Sequence, residues 1–419
     1  MKYWPIKTTL FINYFIFAIL LNSVGTVIFQ VQNSYGVSES SAALLEAFKD
    51  LSIAATSFFV ATFISHLGYK KSMILALGLT CAACFAMPLL PTFWMTKVLF
   101  AATGLSFALI KGSTLASIGL VTSDEKEHAS FLNFIESFFM IGVLSGYFLF
   151  GAYVNDLEPS SPVWLNVYYP LAWMALIAIL LLLFTNFDES KSHKKKESNF
   201  SIVSDFKDMY SLCLKPLILI FLISAFLYVL IEQSIMTWLP TFNSSILNLS
   251  GSLSIQMASI LAASIALGRF IAGIVLKKVD WYILLSICLC LAAILIVIVL
   301  PLAGLSSGDK ISKLSDAPIA AFVFPMIGLC LAPISPAISS VILSAIPKYQ
   351  HASMSGLIVM FSALGGTTGS IVTGSLFEVL GGKNAFYFSL LPITIVLYTL
   401  YLFKQQIIRT TCSYSSTPS

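Results

Sequence analysis

Charge is scarce in this sequence. Of 419 residues only 10% are Asp, Glu, Lys or Arg, against 58% hydrophobic, whereas a soluble domain carries about 25% charged residues. A chain so short of solvated surface belongs in a bilayer. No glycine-rich phosphate loop of the G-x-x-x-x-G-K-[ST] kind occurs, which argues against ATP-driven pumping. Histidine is nearly absent as well. His66, His128, His193 and His351 all map to one predicted side, with no spacing that would gather a metal ion. No His/Asp/Ser constellation at a water interface suggests an enzyme, and no cofactor is expected. Basic residues sit in short loops rather than interleaved with aromatics, so nucleic acid is not an expected partner. The seven cysteines fall inside apolar runs or on the predicted cytoplasmic side, where disulfides do not persist. Cys81 and Cys84 form a C-x-x-C, but within an apolar helix and without a second ligand pair, so they read as small core residues.

Long apolar runs are abundant. At about 20 apolar residues per span, twelve segments are predicted, near 8–29, 42–65, 73–90, 94–121, 130–154, 164–184, 216–241, 252–276, 282–302, 318–346, 353–379 and 385–403. The first exceeds a signal-peptide core and lacks a small-residue cleavage site, so it reads as a transmembrane helix. The expected fold is therefore all-α and polytopic, with two six-helix bundles over 1–186 and 216–403. A lysine-bearing linker over 187–215 and a tail over 404–419 complete the chain. Placing both termini inside puts sixteen Lys/Arg in cytoplasmic segments and three outside, Lys310, Lys313 and Lys383. That bias predicts cytoplasmic termini in an inner (plasma) membrane.

An internal repeat supports the division. Aligning His128 with His351 matches Ala129 with Ala352, Ser130 with Ser353 and Phe138 with Phe361. Gly142, Gly146 and Gly151 then fall on Gly365, Gly369 and Gly374. Glycines at such spacing let helix backbones approach closely. Two similar halves imply a pseudo-two-fold arrangement with a mid-membrane binding site between them, the design of alternating-access transport.

Charges buried within spans are functional-site hypotheses by default. Glu136 sits in the fifth segment, where its repeat partner is Val359. At 1.5 Å per residue, Glu136 and Lys111 lie about 10–15 Å in from the same side. A coupled pair and a static salt bridge are both open readings. Glu232, beside Gln233 in the seventh segment, is another mid-depth carboxylate, open to proton carrying or to a hydrogen-bonded structural role. Glu46, Lys49 and Asp50 are spaced to satisfy one another on one helical face, which suggests a periplasmic gate or a substrate contact. Arg269 is expected to order the end of the eighth segment or to serve as a charge partner. Lys97 is shallow enough to snorkel. Asn22, Gln30, Gln233 and Trp238 are cavity candidates, although Asn and Gln also glue membrane helices together. Pro325, Pro333 and Pro336 mark a broken or kinked tenth helix.

Over nearly its whole length the chain resembles the major facilitator superfamily. His66-Leu67-Gly68-Tyr69-Lys70-Lys71 looks like the end of that superfamily's loop signature, and Gly268-Arg269 with Lys277-Lys278 like its second-half counterpart. Ser65 and His66 stand where the signature has Asp and Arg. Within the superfamily, Leu21-Asn22, Gly104-Leu105 and Trp238-Leu239-Pro240 are similar to the fucose permease-like branch of sugar:proton symporters. Ser23 and Lys111 replace acids of that branch, so its proton mechanism does not carry over directly. The resemblance implies a monomeric secondary transporter of a small polar solute, sugar-like or an organic anion, and the intramembrane carboxylates Glu136 and Glu232 are the candidates for proton coupling. A drug- or siderophore-like transporter and a non-transporting receptor are the competing expectations.

Overall fold

The computed structural model describes residues 4–121, 125–185, 211–276, 278–303, 310–346 and 351–415. The lysine run at 191–196 and most of the linker lie outside them. In chain order the helices are α1 (Trp4–Asn22), α2 (Val24–Tyr35), α3 (Glu39–Leu67), α4 (Tyr69–Leu89), α5 (Phe93–Val121), α6 (Glu125–Ala152) and α7 (Tyr168–Phe184). The second series is α8 (Pro216–Ser245), α9 (Gly251–Val275), α10 (Trp281–Ala303), α11 (Ile319–Leu331), α12 (Ile334–Ala345), α13 (His351–Leu380) and α14 (Leu390–Ser415). With hydrocarbon for solvent, helices satisfy every backbone group internally. Among the described residues, nine helical spans are long and apolar enough to cross a membrane, ten with the bent pair α1–α2 taken as one. The protein is an all-α polytopic membrane protein.

Packing sorts the helices into two groups. Helices α1 to α7 pack on one another, as do α8 to α14, and the groups meet along α3–α13, α6–α9 and α2–α8. The face on which α1 begins is called the near face below, and its opposite the far face.

Three helix junctions set the geometry. Between α3 and α4 the chain reverses on Gly68 alone, at φ +86°, a conformation that costs glycine little. Lys70, one residue into α4, donates to the carbonyls of Leu183 (3.1 Å) and Thr185 (2.9 Å), so the loop signature's lysine closes the negative end of α7. The tenth segment breaks between α11 and α12 at Ala332-Pro333, consistent with proline's missing donor. The first segment was expected as one helix over 8–29. It instead runs on to Tyr35 and bends by 44° at Ser23. The bend contains no proline. Asn22 Nδ2 donates to the Ala18 carbonyl (2.9 Å) and Ser23 Oγ to that of Leu20 (2.8 Å), side-chain bonds that compete with the helical ladder.

Several of the repeated glycines lie at close backbone approaches. An ideal Cβ on Gly142 would stand 2.7 Å from the Phe15 carbonyl oxygen of α1, and one on Gly365 would collide with the Phe226 carbonyl of α8. The third glycine of each set faces the opposite group. Gly151 meets Gln256 of α9, and Gly374 meets the Glu39 carbonyl of α3.

Candidate functional site

Between the two groups lies a cavity of about 210 Å³, lined by Asn22 at the α1 break, by Phe139, Met140 and Val143 of α6, by Glu232, Gln233 and Met236 of α8, and by Ala262, Ile265 and Arg269 of α9. A few convergent polar groups on apolar walls are the usual composition of a small-molecule site. Its charged element is an ion pair between helices. Arg269 Nη2 of α9 lies 3.3 Å from Glu232 Oε1 of α8, with the arginine side chain 43% exposed and the carboxylate 13%. Tyr228, one helical turn before Glu232, is fully buried, its phenol close enough to feel both charges. A guanidinium offers five donors. Bonded to one carboxylate oxygen, Arg269 keeps donors for a solute. Arg269 therefore reaches across to α8 rather than only ordering the end of its own helix.

Towards the far face, where the groups are in contact, a second cluster is sealed between them. Glu46, Lys49 and Asp50 of α3 are 0%, 4% and 7% exposed. Lys49 Nζ bonds Glu46 Oε1 and lies 3.4 Å from Asp50 Oδ1. From α8, Thr237 Oγ1 donates to Glu46 Oε2 at 3.1 Å and Gln233 Nε2 approaches Glu46 Oε1 at 3.5 Å. Gln233 thus belongs both to the cavity wall and to the sealed cluster, joining the two sites through one side chain.

The remaining sequence candidates are dispersed. Trp238 is fully buried against α13, where its indole N–H donates to the Ser370 carbonyl (3.0 Å) and its ring packs on Phe377 at 5.1 Å. Gln30 is buried in α2 and borders a small far-face pocket with Asn33, Asp156 and Lys310. Lys111 is exposed, its ammonium 5.8 Å from the Phe107 ring centroid. Glu136 belongs to α6, but its side chain lies outside the described residues, and so does the suggested contact with Lys111. Lys97 sits over the rings of Phe93, Trp94 and Phe48, a cation–π cage. Among the described residues no group of three His, Cys, Asp or Glu could hold a metal ion, and the six cysteines whose side chains are described are free.

Two contacts escaped the sequence reading. Asp156, in the loop after α6, accepts from the backbone N–H of Ser252 (3.0 Å) at the start of α9, and Lys310 Nζ donates to its carbonyl (3.3 Å). Glu378, near the end of α13, accepts from the backbone N–H of Ser40 (3.2 Å) at the start of α3. Each group of helices thus sends one carboxylate to a helix N-terminus of the other, where exposed N–H groups and the macrodipole favour an anion. A signal existed in the sequence: an acid follows each copy of the repeated helix, and Ser-rich stretches, Ser38 to Ser41 and Ser250 to Ser252, open the receiving helices.

Two helical groups enclosing a polar cavity, sealed at one face, define a membrane transporter. The chain belongs to the Major Facilitator Superfamily, whose sequence profile matches residues 10–366; it is a multi-pass transporter and not an enzyme. No curated protein matches the chain in sequence. Among solved structures, a mutant of the nucleoside transporter NupG is similar with a TM-score of 0.75 at 15% identity, covering 95% of this chain and 99% of that one. A D-xylose-proton symporter gives 0.74 at 12% identity, covering 95% and 97%. A mutant of the E. coli fucose:proton symporter FucP gives 0.61 at 14%, covering 96% and 99%. Similarity is spread over nucleoside and sugar transporters and does not single out the fucose permease-like branch expected from the short motifs.

Proposed function

We propose that the chain is a twelve-span secondary transporter that moves a small polar solute by alternating access, coupled to protons, as a monomer in the inner membrane with both termini cytoplasmic. The twelve spans add α3 and α6 to the ten above. Both are long enough, at 29 and 28 residues, and α3 carries Glu46, Lys49 and Asp50 in its first half. The halves are then 1–186 and 216–403, joined by 187–215 and followed by a tail at 404–419.

One observation carries the reading: the Glu232–Arg269 pair faces the cavity between the helical groups with donor capacity to spare. An arginine fork favours a carboxylate or a hydroxyl-rich solute, and the walls of Phe139, Met140 and Met236 favour one with an apolar face. The similar folds of a nucleoside transporter and two sugar–proton symporters support a polar organic solute and a proton as driving ion. The apolar walls also favour a second reading, an amphipathic drug- or siderophore-like solute.

The test is a stabilisation screen of the purified protein with sugars, nucleosides and organic acids, followed by vesicle uptake of the stabilising compound under imposed proton gradients. Arg269→Gln is expected to lower uptake at least about tenfold, as expected from loss of a charge-assisted contact. Glu232→Gln should abolish accumulation while exchange of solute across the membrane persists. Gradient-driven accumulation that survives both Glu232→Gln and Glu136→Gln would remove these residues from coupling. Stabilisation by a compound that never crosses the bilayer would identify a receptor instead.

A further inference from the structure

The sealed cluster on α3 has a charge imbalance. Two carboxylates, Glu46 and Asp50, share one ammonium, Lys49, and all three are at least nine-tenths buried. Fully ionised, the cluster would hold one uncompensated negative charge in a water-poor seam, a condition proteins avoid by pairing or by neutralising the group.

The surrounding elements bring no second cation to it among the described residues. From α8 come the neutral Gln233 and Thr237, and from α6 the phenol of Tyr147, buried and close enough to feel the charges of Glu46 and Lys49. Helix α2 contains no charged residue. On α5, Lys97 is engaged with three aromatic rings, while Gly104 brings its backbone against the Lys49 carbonyl. The lysines of α4, Lys70 and Lys71, stand at that helix's opposite end. On α13, Glu378 is bound to Ser40 at the far face.

The two acids are unequally served. Glu46 accepts from Lys49, Gln233 and Thr237, whereas Asp50 has Lys49 at 3.4 Å. The second oxygen of Asp50 lies directly against α13 of the opposite half, where an ideal Cβ on Gly366 would stand 2.7 Å from it. The glycine leaves just enough room for a carboxyl group held against another helix's backbone.

We propose that Asp50 is a proton-binding site at the seam between the halves, occupied when the far face is closed. A proton from the aqueous phase adds to the Asp50 carboxylate to give the neutral acid, and no other bond changes. Neutral, the cluster balances Lys49 against Glu46 and can be sealed. On losing the proton it carries net charge, and the favourable response is hydration, which requires α3 and α13 to part. The shared residue Gln233 links this site to the cavity. The inference rests on the alternating-access reading above, but its test needs no solute, so failure of one does not imply failure of the other.

The experiment is hydrogen–deuterium exchange of the full chain in lipid nanodiscs, corrected for intrinsic rates, across about pH 5 to 9, where linkage to one proton shifts an open-to-closed ratio by about tenfold per pH unit. In the wild type, the far-face stretches 39–50, 237–256 and 366–380 should lose protection as pH rises. Asp50→Asn, a neutral isostere, should stay protected at every pH. Glu46→Gln removes the surplus charge without touching Asp50 and should also flatten the response. Glu158→Gln, at an exposed loop position, should retain it. A pH-independent wild type, a persistent response in Asp50→Asn or Glu46→Gln, or its loss in Glu158→Gln would each overturn the proposal.

Discussion

Single glycines decide how closely these helices can approach. At Gly369 an added Cβ would collide with the Leu230 carbonyl and stand 2.9 Å from Ser234 Oγ. At Gly78 on α4 it would meet nothing within 4 Å. Gly369→Ala is therefore expected to destabilise the protein by about 1–3 kcal/mol through overpacking, and Gly78→Ala to stabilise it by about 0.5–1 kcal/mol through helix propensity. Thermal unfolding in one detergent checks both; equal shifts would mean that the glycines act through propensity alone. The glycine positions were legible beforehand because two copies of one helix preserve them. Their partners were not, since the repeat says nothing about which helix each glycine faces. Glu232 shows the same limit. It was recognised as an isolated mid-depth acid within its own helix, and its cation lies on the next helix, at Arg269.

Helix ends carry the contacts that hold the far face shut. Asp156 on the α9 N-terminus and Glu378 on the α3 N-terminus are reciprocal across the pseudo-two-fold relation, because α6 and α13 are the repeated helices. An N-terminal cap of the Asp156 kind contributes about 1 kcal/mol. Combining Asp156→Ala with Glu378→Ala should favour separation of the far-face ends beyond either single change. Spin labels at Leu90 and Leu314, both exposed, would report a longer distance component in the double variant; an unchanged distribution would show that the caps do not hold the face. The break of the tenth segment could be read from Pro333. The 44° bend at Ser23 could not, because it arises from Asn22 and Ser23 bonding back to their own helix, and such residues sit equally well in straight helices.

For the whole molecule, orientation follows from charge placed at the loops. A fluorescent reporter fused to the C-terminal tail should be bright in the cytoplasm, and Lys310 and Lys313 should react with a membrane-impermeant amine reagent on intact cells. Labelling of Lys70 and Lys71 in place of these would invert the assignment. A monomer is expected by light scattering of the detergent-solubilised chain with detergent mass subtracted.

Composition and apolar run length alone made this an all-α membrane protein, because the cost of unpaired backbone in hydrocarbon leaves a water-avoiding chain few alternatives. The repeat of His128 to Gly151 in His351 to Gly374 added the division into halves. Which charges meet was a property of three dimensions. Glu46 and Asp50 belong to α3, Gln233 and Thr237 to α8 and Gly366 to α13; they are drawn from separate helices and become one site when the halves close. Periodicity along a helix records which side of it faces inward, and contains nothing about the register in which two helices meet.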